Sequence, residues 1–149
     1  QIDQRGSAMT SREARNANNA GVIEQFRSNG GTIPDRPEQV ILLLNTMGAK
    51  TGLPRTNPVV YLPGEDCVYV FATKGGSPVH PDWYFNLVAH PAVTVEIGTE
   101  TYQATAEPVT GPERDRLYAK LVEKRPNFGT YQDNTTRVIP VVALRRNPI

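Results

Sequence analysis

Apolar and polar positions along this chain follow two different periods. From Thr10 to Asn29 the apolar residues Val22, Ile23 and Phe26 recur at helical spacing, and Gly30 and Gly31 end the run. The stripe is modest, because Asn16, Asn18 and Asn19 are poor helix formers. After the loop TIPDRPEQ, the near-continuous apolar run VILLLNTM suits a buried strand. GAKTGLP then turns the chain, RTNPVVYLP resumes an extended pattern, GED turns it again, and CVYVFAT returns as the second arm of a hairpin. KGGSPVHP reads as a loop and DWYFNLVAH as a short helix, with Trp83, Leu87 and one of Tyr84 or Phe85 facing inward. PAVTVEIGTETYQATAEPV holds two strands around Gly98. Pro112 to Lys124 forms a helix with Leu117, Leu121 and Val122 on one side, and Thr110-Gly111-Pro112-Glu113 matches a capping box at its start. RPNFGTYQDNTT reads as an aromatic-bearing loop and RVIPVVALR as a last strand.

About six strands joined mostly as hairpins, with flanking helices, predict an α+β domain built on a small antiparallel barrel rather than a doubly wound sheet. Residues 1–9 read as a disordered terminus and residues 10–149 as one domain, which suits a 149-residue chain.

Composition narrows the function. Hydrophobic residues make up 38% and charged residues 21%, as in globular proteins. A formal charge of +1 argues against nucleic-acid binding through bulk phosphate neutralisation, so any basic site is local. A single cysteine, Cys67, excludes a disulfide framework and a cysteine-rich zinc site, and no metal is expected. No apolar run is long enough to span a bilayer, and residues 10–29 are only weakly amphipathic. A cytoplasmic protein is expected, with peripheral contact at the inner membrane the less favoured alternative.

Two segments carry candidate chemistry. At GAKTGLPR, the glycines a phosphate loop requires are replaced by Ala49 and, five residues before it, Leu44, and a strand follows where a helix is needed. The turn retains anion-binding character: Gly48 and Gly52 permit a concave nest of amides, and Lys50, Thr51 and Arg55 add donors. A solvated hairpin turn would have the same composition. The second segment, ATKGGSPVHPDWYFNL, again puts a lysine, Lys74, beside paired glycines, Gly75 and Gly76, where a flat ligand or a phosphate could approach the backbone. Trp83 and Asn86 share a helix face beyond it; Trp83 suits a core anchor, and Asn86 needs a definite hydrogen-bond partner.

Together these segments resemble the deazaflavin-dependent nitroreductase family, the split-barrel oxidoreductases that use coenzyme F420 and include F420H2-dependent quinone reductases. The resemblance rests on VILLLNTMGAKTGLPRTNPVVYL, VYVFATKGGSPVHPDWYFNLVAHPAVTVEI and YQDNTTRVIPVVAL, in that order, roughly Val40 to Leu144. It implies a split β-barrel and hydride transfer from reduced F420 to small planar electrophiles: quinones, nitroaromatics, enones or unsaturated lactones. It further implies that Lys50, Thr51 and Arg55 hold the cofactor's phosphate and acidic tail, and that Asn57 and Pro58 begin the strand beside it. Thr73, Lys74, Gly75 and Gly76 then follow the deazaflavin and its polyol, while Trp83 and Asn86 close that side. Phe128 and Tyr131 are expected over the substrate pocket, with Tyr131 and Thr73 as hydrogen-bond donors to the acceptor. A homodimer is compatible with such a barrel.

Two other readings stay open. An FMN-dependent split barrel would leave part of the basic constellation unexplained, and a non-catalytic F420 carrier would keep the anion site without an acceptor pocket. His80 and His90 are expected to pack beside prolines, Cys67 to fill the core, and Arg114, Asp115 and Arg116 to form a solvated helix face.

Overall fold

The computed structural model describes residues 11–34 and 40–148. The region read as a disordered terminus, and most of PDRPEQ, lie outside them. Helix α1 (Ser11–Ser28) leads into strands β1 (Ile41–Met47), β2 (Pro54–Pro63) and β3 (Cys67–Phe71). A tight turn (Lys74–Gly76) and helix α2 (Asp82–Ala89) precede β4 (Ala92–Ile97) and β5 (Glu100–Val109). Helices α3 (Gly111–Lys124) and α4 (Asn127–Asp133) and strand β6 (Val141–Arg146) complete the order. The strands close into a barrel in the order β1-β2-β3-β6-β5-β4, every neighbouring pair antiparallel.

The unbroken apolar run in β1 has a simple cause: both faces of the strand are covered. Leu42 and Leu44 point into the barrel, beside Val70, Val95, Val142 and Leu144, and alanines 72, 104 and 106 supply the small residues a narrow interior needs. Ile41 and Leu43 face outward onto Phe26 of α1. Trp83 and Leu87 of α2 join the interior cluster. Of the two residues between them that could have faced inward, Tyr84 packs there and Phe85 stays half exposed.

Three local expectations are corrected. The segment read as a loop contains α4, although Asn127, Gly129 and Asp133 favour helix poorly. Packing overrides propensity: Tyr118 Oη donates to the Phe128 carbonyl at 2.7 Å, and Gly129 lies so close to Val122 that a β-carbon would sit 3.3 Å from Cγ1. The capping box does not close. Thr110 occupies the cap position without a side-chain bond, and Glu113 pairs with Arg116 at 2.6 Å. Arg114 is not solvated: its guanidinium donates to the Ile139 carbonyl (2.9 and 3.0 Å) and Gln132 Oε1 (2.7 Å) and lies over the Tyr118 ring. It thereby ties α3 to α4 and to the approach to β6.

Candidate active site

The Gly48–Leu53 turn is built from the inside. Gly48 N–H donates to the Leu53 carbonyl (2.8 Å), Gly52 N–H to the Gly48 carbonyl (2.9 Å) and Leu53 N–H to Thr51 Oγ1 (3.2 Å). The glycine amides expected to form an anion nest are therefore spent within the turn, which corrects that part of the sequence reading. The amides of Lys50 and Thr51 make no hydrogen bond to any described residue, and they sit where the Lys50 and Thr51 side chains emerge.

Asn86 fixes the turn to the barrel. Its Oδ1 accepts from Ala49 N–H (2.9 Å), and its Nδ2 donates to Thr46 Oγ1 (3.2 Å). Both side-chain partners, Asn86 and Thr46, are buried. Asn86→Ala is expected to cost about 1–3 kcal/mol, because the Ala49 amide and Thr46 hydroxyl lose buried partners; a urea unfolding curve measures it.

At the far side of the barrel mouth, Lys74, Gly75 and Gly76 all have positive φ (44°, 62° and 80°). Lys74 is the only such residue other than glycine among those described, and the left-handed region is unfavourable for a side chain with a β-carbon. Gly76 has no alternative: a β-carbon there would lie 2.6 Å from the Tyr131 carbonyl oxygen.

Two cavities run between these turns. The larger, about 770 Å³, is lined by Lys50, Thr51, Arg55, Asn57 and Asn86, with Ile23 and Phe85. The smaller, about 300 Å³, is lined by Asn57, Pro58, Thr73, Lys74, Trp83 and Phe128, with Phe71. Asn19, Asn57 and Asp82 line both, so the two adjoin. The groove carries Lys50 and Arg55 at one end and Phe71, Trp83 and Phe128, with Lys74, at the other. That donor set fits a long ligand with an anionic tail and a flat ring. A model of the F420H(2)-dependent quinone reductase family matches residues 4–146.

The chain belongs to that family. It is 42% identical over 120 residues to an F420H(2)-dependent quinone reductase of Mycobacterium tuberculosis, covering 78% of this chain and 79% of the relative. A solved F420-H2 dependent reductase, FDR-A, superimposes with a TM-score of 0.65 at 38% identity, over 70% of this chain and 93% of that one. A second solved structure, described as a domain-swapped dimer, matches at TM-score 0.67 and 34% identity, over 85% and 96%. The expected split-barrel fold is the fold of the family.

Within this family member, Gly75 and Gly76 line neither cavity; they shape the turn that presents Thr73 and Lys74. Tyr131 also lines neither. Because α4 forms, its ring packs at a tilt behind Phe128 (centroids 5.1 Å apart, 48° between planes) and its hydroxyl accepts from Asn127 Nδ2 (3.2 Å). Asn19 and Asp82 were missed as groove residues. The signal for Asp82 was its place in the first turn of a helix just after the glycine loop; Asn19 gave none, because its contact depends on how α1 docks. Arg27 of α1 makes a bidentate pair with Glu96 of β4 (3.1 and 2.8 Å), and Asn45 Nδ2 also donates to Glu96 (2.8 Å). These bonds hold the Glu96 carboxyl below its usual range and fix the side of α1 that carries Asn19 and Ile23.

His80 packs against the rings of Tyr84 and Phe85, tilted 57° to each, and its Nδ1 lies 2.9 Å from Arg137 Nη1. A guanidinium only donates, so Nδ1 accepts and the imidazole is neutral with its proton on Nε2. Burial, and then the Arg137 charge, push its pKa below the ordinary 6.5. The folded state thus binds this proton less readily than the unfolded chain. His80 contributes stability that is present above pH 6.5 and lost as pH falls through the lower folded value. His80→Gln should flatten the pH dependence of the unfolding midpoint in that window and leave the separate loss at lower pH, where Glu96 protonates. Among the described residues no cluster of metal-ligating groups includes His80 or His90.

Proposed function

We propose that this protein transfers a hydride from reduced F420 to small planar electrophiles, quinones first among them. The observation that carries the proposal is the continuity of the groove: the cations Lys50 and Arg55 line one cavity, and Phe71, Trp83 and Phe128 line the one adjoining it. Reduced F420 supplies the hydride when bound. Lys50, Arg55, the Thr51 hydroxyl and the two unspent amides offer charge-assisted and neutral donors to phosphate and carboxylate oxygens. Asn57 lines both cavities and Pro58 the smaller one, whose aromatic side chains offer a surface to a flat ring. Thr73 lines the smaller cavity, and its hydroxyl makes no hydrogen bond to a described residue. It is placed to donate to an acceptor oxygen as negative charge develops there. A proton from solvent then completes the reduced product. Tyr131 packs behind Phe128 and lines neither cavity, which supports reading Thr73 as the donor.

Nitroaromatics, enones and unsaturated lactones fit the same cavity by shape and polarity. The relative described as a domain-swapped dimer supports pairing of this chain as well. No helix among the described residues is long and apolar enough to cross a membrane; we read the protein as working in the cytoplasm, in keeping with its buried free Cys67. Equilibrium binding of F420, FMN and FAD, each offered separately, tests the proposal. F420 should bind with an affinity that weakens as its glutamate tail is shortened. Preferential FMN binding, or indifference to the tail, would remove the role of the cationic turn.

A further inference from the structure

We infer that Arg137 is a positioning residue: its guanidinium holds Ala72–Ser77 in the left-handed turn that faces the smaller cavity, before any ligand arrives. What the loop is for rests on the function proposed above; that Arg137 sets its shape does not. One guanidinium fans across both ends of the turn. Nη1 donates to the Ala72 carbonyl (3.1 Å) and Nη2 to the Thr73 carbonyl (2.7 Å), while Nε donates to the Ser77 carbonyl (2.8 Å). Nη1 also reaches His80 Nδ1. The turn's own bonds are few, Gly76 N–H to the Thr73 carbonyl and Ser77 N–H to the Lys74 carbonyl, and they do not account for three successive positive φ angles that include Lys74.

Arg137 is itself anchored between α4 and β6. Its amide donates to Thr135 Oγ1 (3.3 Å), and its carbonyl accepts from Gln132 Nε2 (2.8 Å). The loop is therefore wedged, with Arg137 spanning its ends and the Tyr131 backbone against Gly76. Among the described residues the partners of the guanidinium are carbonyls and a neutral imidazole, with no carboxylate. Such a site selects arginine's planar fork over lysine's single nitrogen.

The test is amide hydrogen exchange of the segment 72–79, without and with F420, in the parent protein and in Arg137→Lys. Parent protein should protect this segment to about the same degree in both states, as a preformed loop does. Arg137→Lys keeps the charge but cannot span the carbonyls. It should speed exchange roughly ten-fold in this segment alone and weaken F420 binding about ten-fold. Unchanged exchange and affinity, or faster exchange spread evenly over the barrel strands, overturns the inference. Should the variant not fold, the parent comparison decides: protection gained only on adding F420 overturns it. A parent protein that does not bind F420 at all contradicts the proposed function while leaving the ligand-free exchange result to judge Arg137.

Discussion

Replacing Lys50 and Arg55 together by alanine is expected to raise the dissociation constant for F420 about a hundred-fold. A hydrogen bond to a charged group contributes roughly 1.5–3 kcal/mol, but both side chains are exposed, so solvent screening argues for the lower end. About ten-fold for each cation follows, and the two effects need not add fully. The rate of hydride transfer from cofactor already bound should change little, because these residues lie away from the aromatic cavity. Raising ionic strength should weaken parent binding and narrow the gap between parent and variant. Fluorescence titration of F420 at two salt concentrations measures both effects. An equal loss for a cofactor stripped of its glutamate tail would point to general damage to the turn instead.

Gly76→Ala is expected to destabilise the protein by about 3 kcal/mol, from a steric cost like that of overpacking and a left-handed backbone penalty. The β-carbon would meet the Tyr131 carbonyl oxygen at 2.6 Å, and backbone on both sides leaves little room to yield. Gly75→Ala is the matched control: its φ is also positive, but nothing lies within 4 Å of an added β-carbon. It should cost about 1 kcal/mol, the backbone penalty alone. Equal costs in urea unfolding would show that close approach to α4 is not what demands glycine at position 76. If the proposed site is right, Gly76→Ala should also weaken F420 binding, because displacing the turn moves Thr73 and Lys74.

The fold was largely legible because strand signals in this chain are local. Ile41 to Leu44 announce a strand covered on both faces, and the alternation in Cys67–Phe71 and Ala92–Ile97 needs no distant partner to be read. What escaped was what depends on distant packing. Asn127–Asp133 becomes helical only because Tyr118 and Val122 of α3 receive it, and its own residues argue against a helix. Arg114 looks like a surface residue until the Ile139 carbonyl, twenty-five positions on, is brought to it. The site divides in the same way. Lys50, Thr51, Arg55, Asn57, Thr73, Lys74 and Trp83 stood out by motif, and the barrel brings them to one groove. Arg137 precedes an ordinary strand and gave no hint of its reach across some sixty residues to Ala72, Thr73 and Ser77. Tyr131 was expected at the pocket because the family resemblance puts aromatic residues of this segment there; the segment is helical, and Tyr131 lies behind Phe128.

The central claim is that this groove holds a reduced deazaflavin so that its hydride reaches a planar acceptor. Stopped-flow mixing of the protein, preloaded with reduced F420, against a small soluble quinone tests it in a single turnover. Positioning of the two reactants should speed reoxidation of the cofactor by at least about a hundred-fold over free reduced F420 at the same quinone concentration, with a rate that saturates as quinone rises. Reoxidation no faster than in free solution, with the cofactor demonstrably bound, would contradict the account and leave a protein that stores F420 without using it.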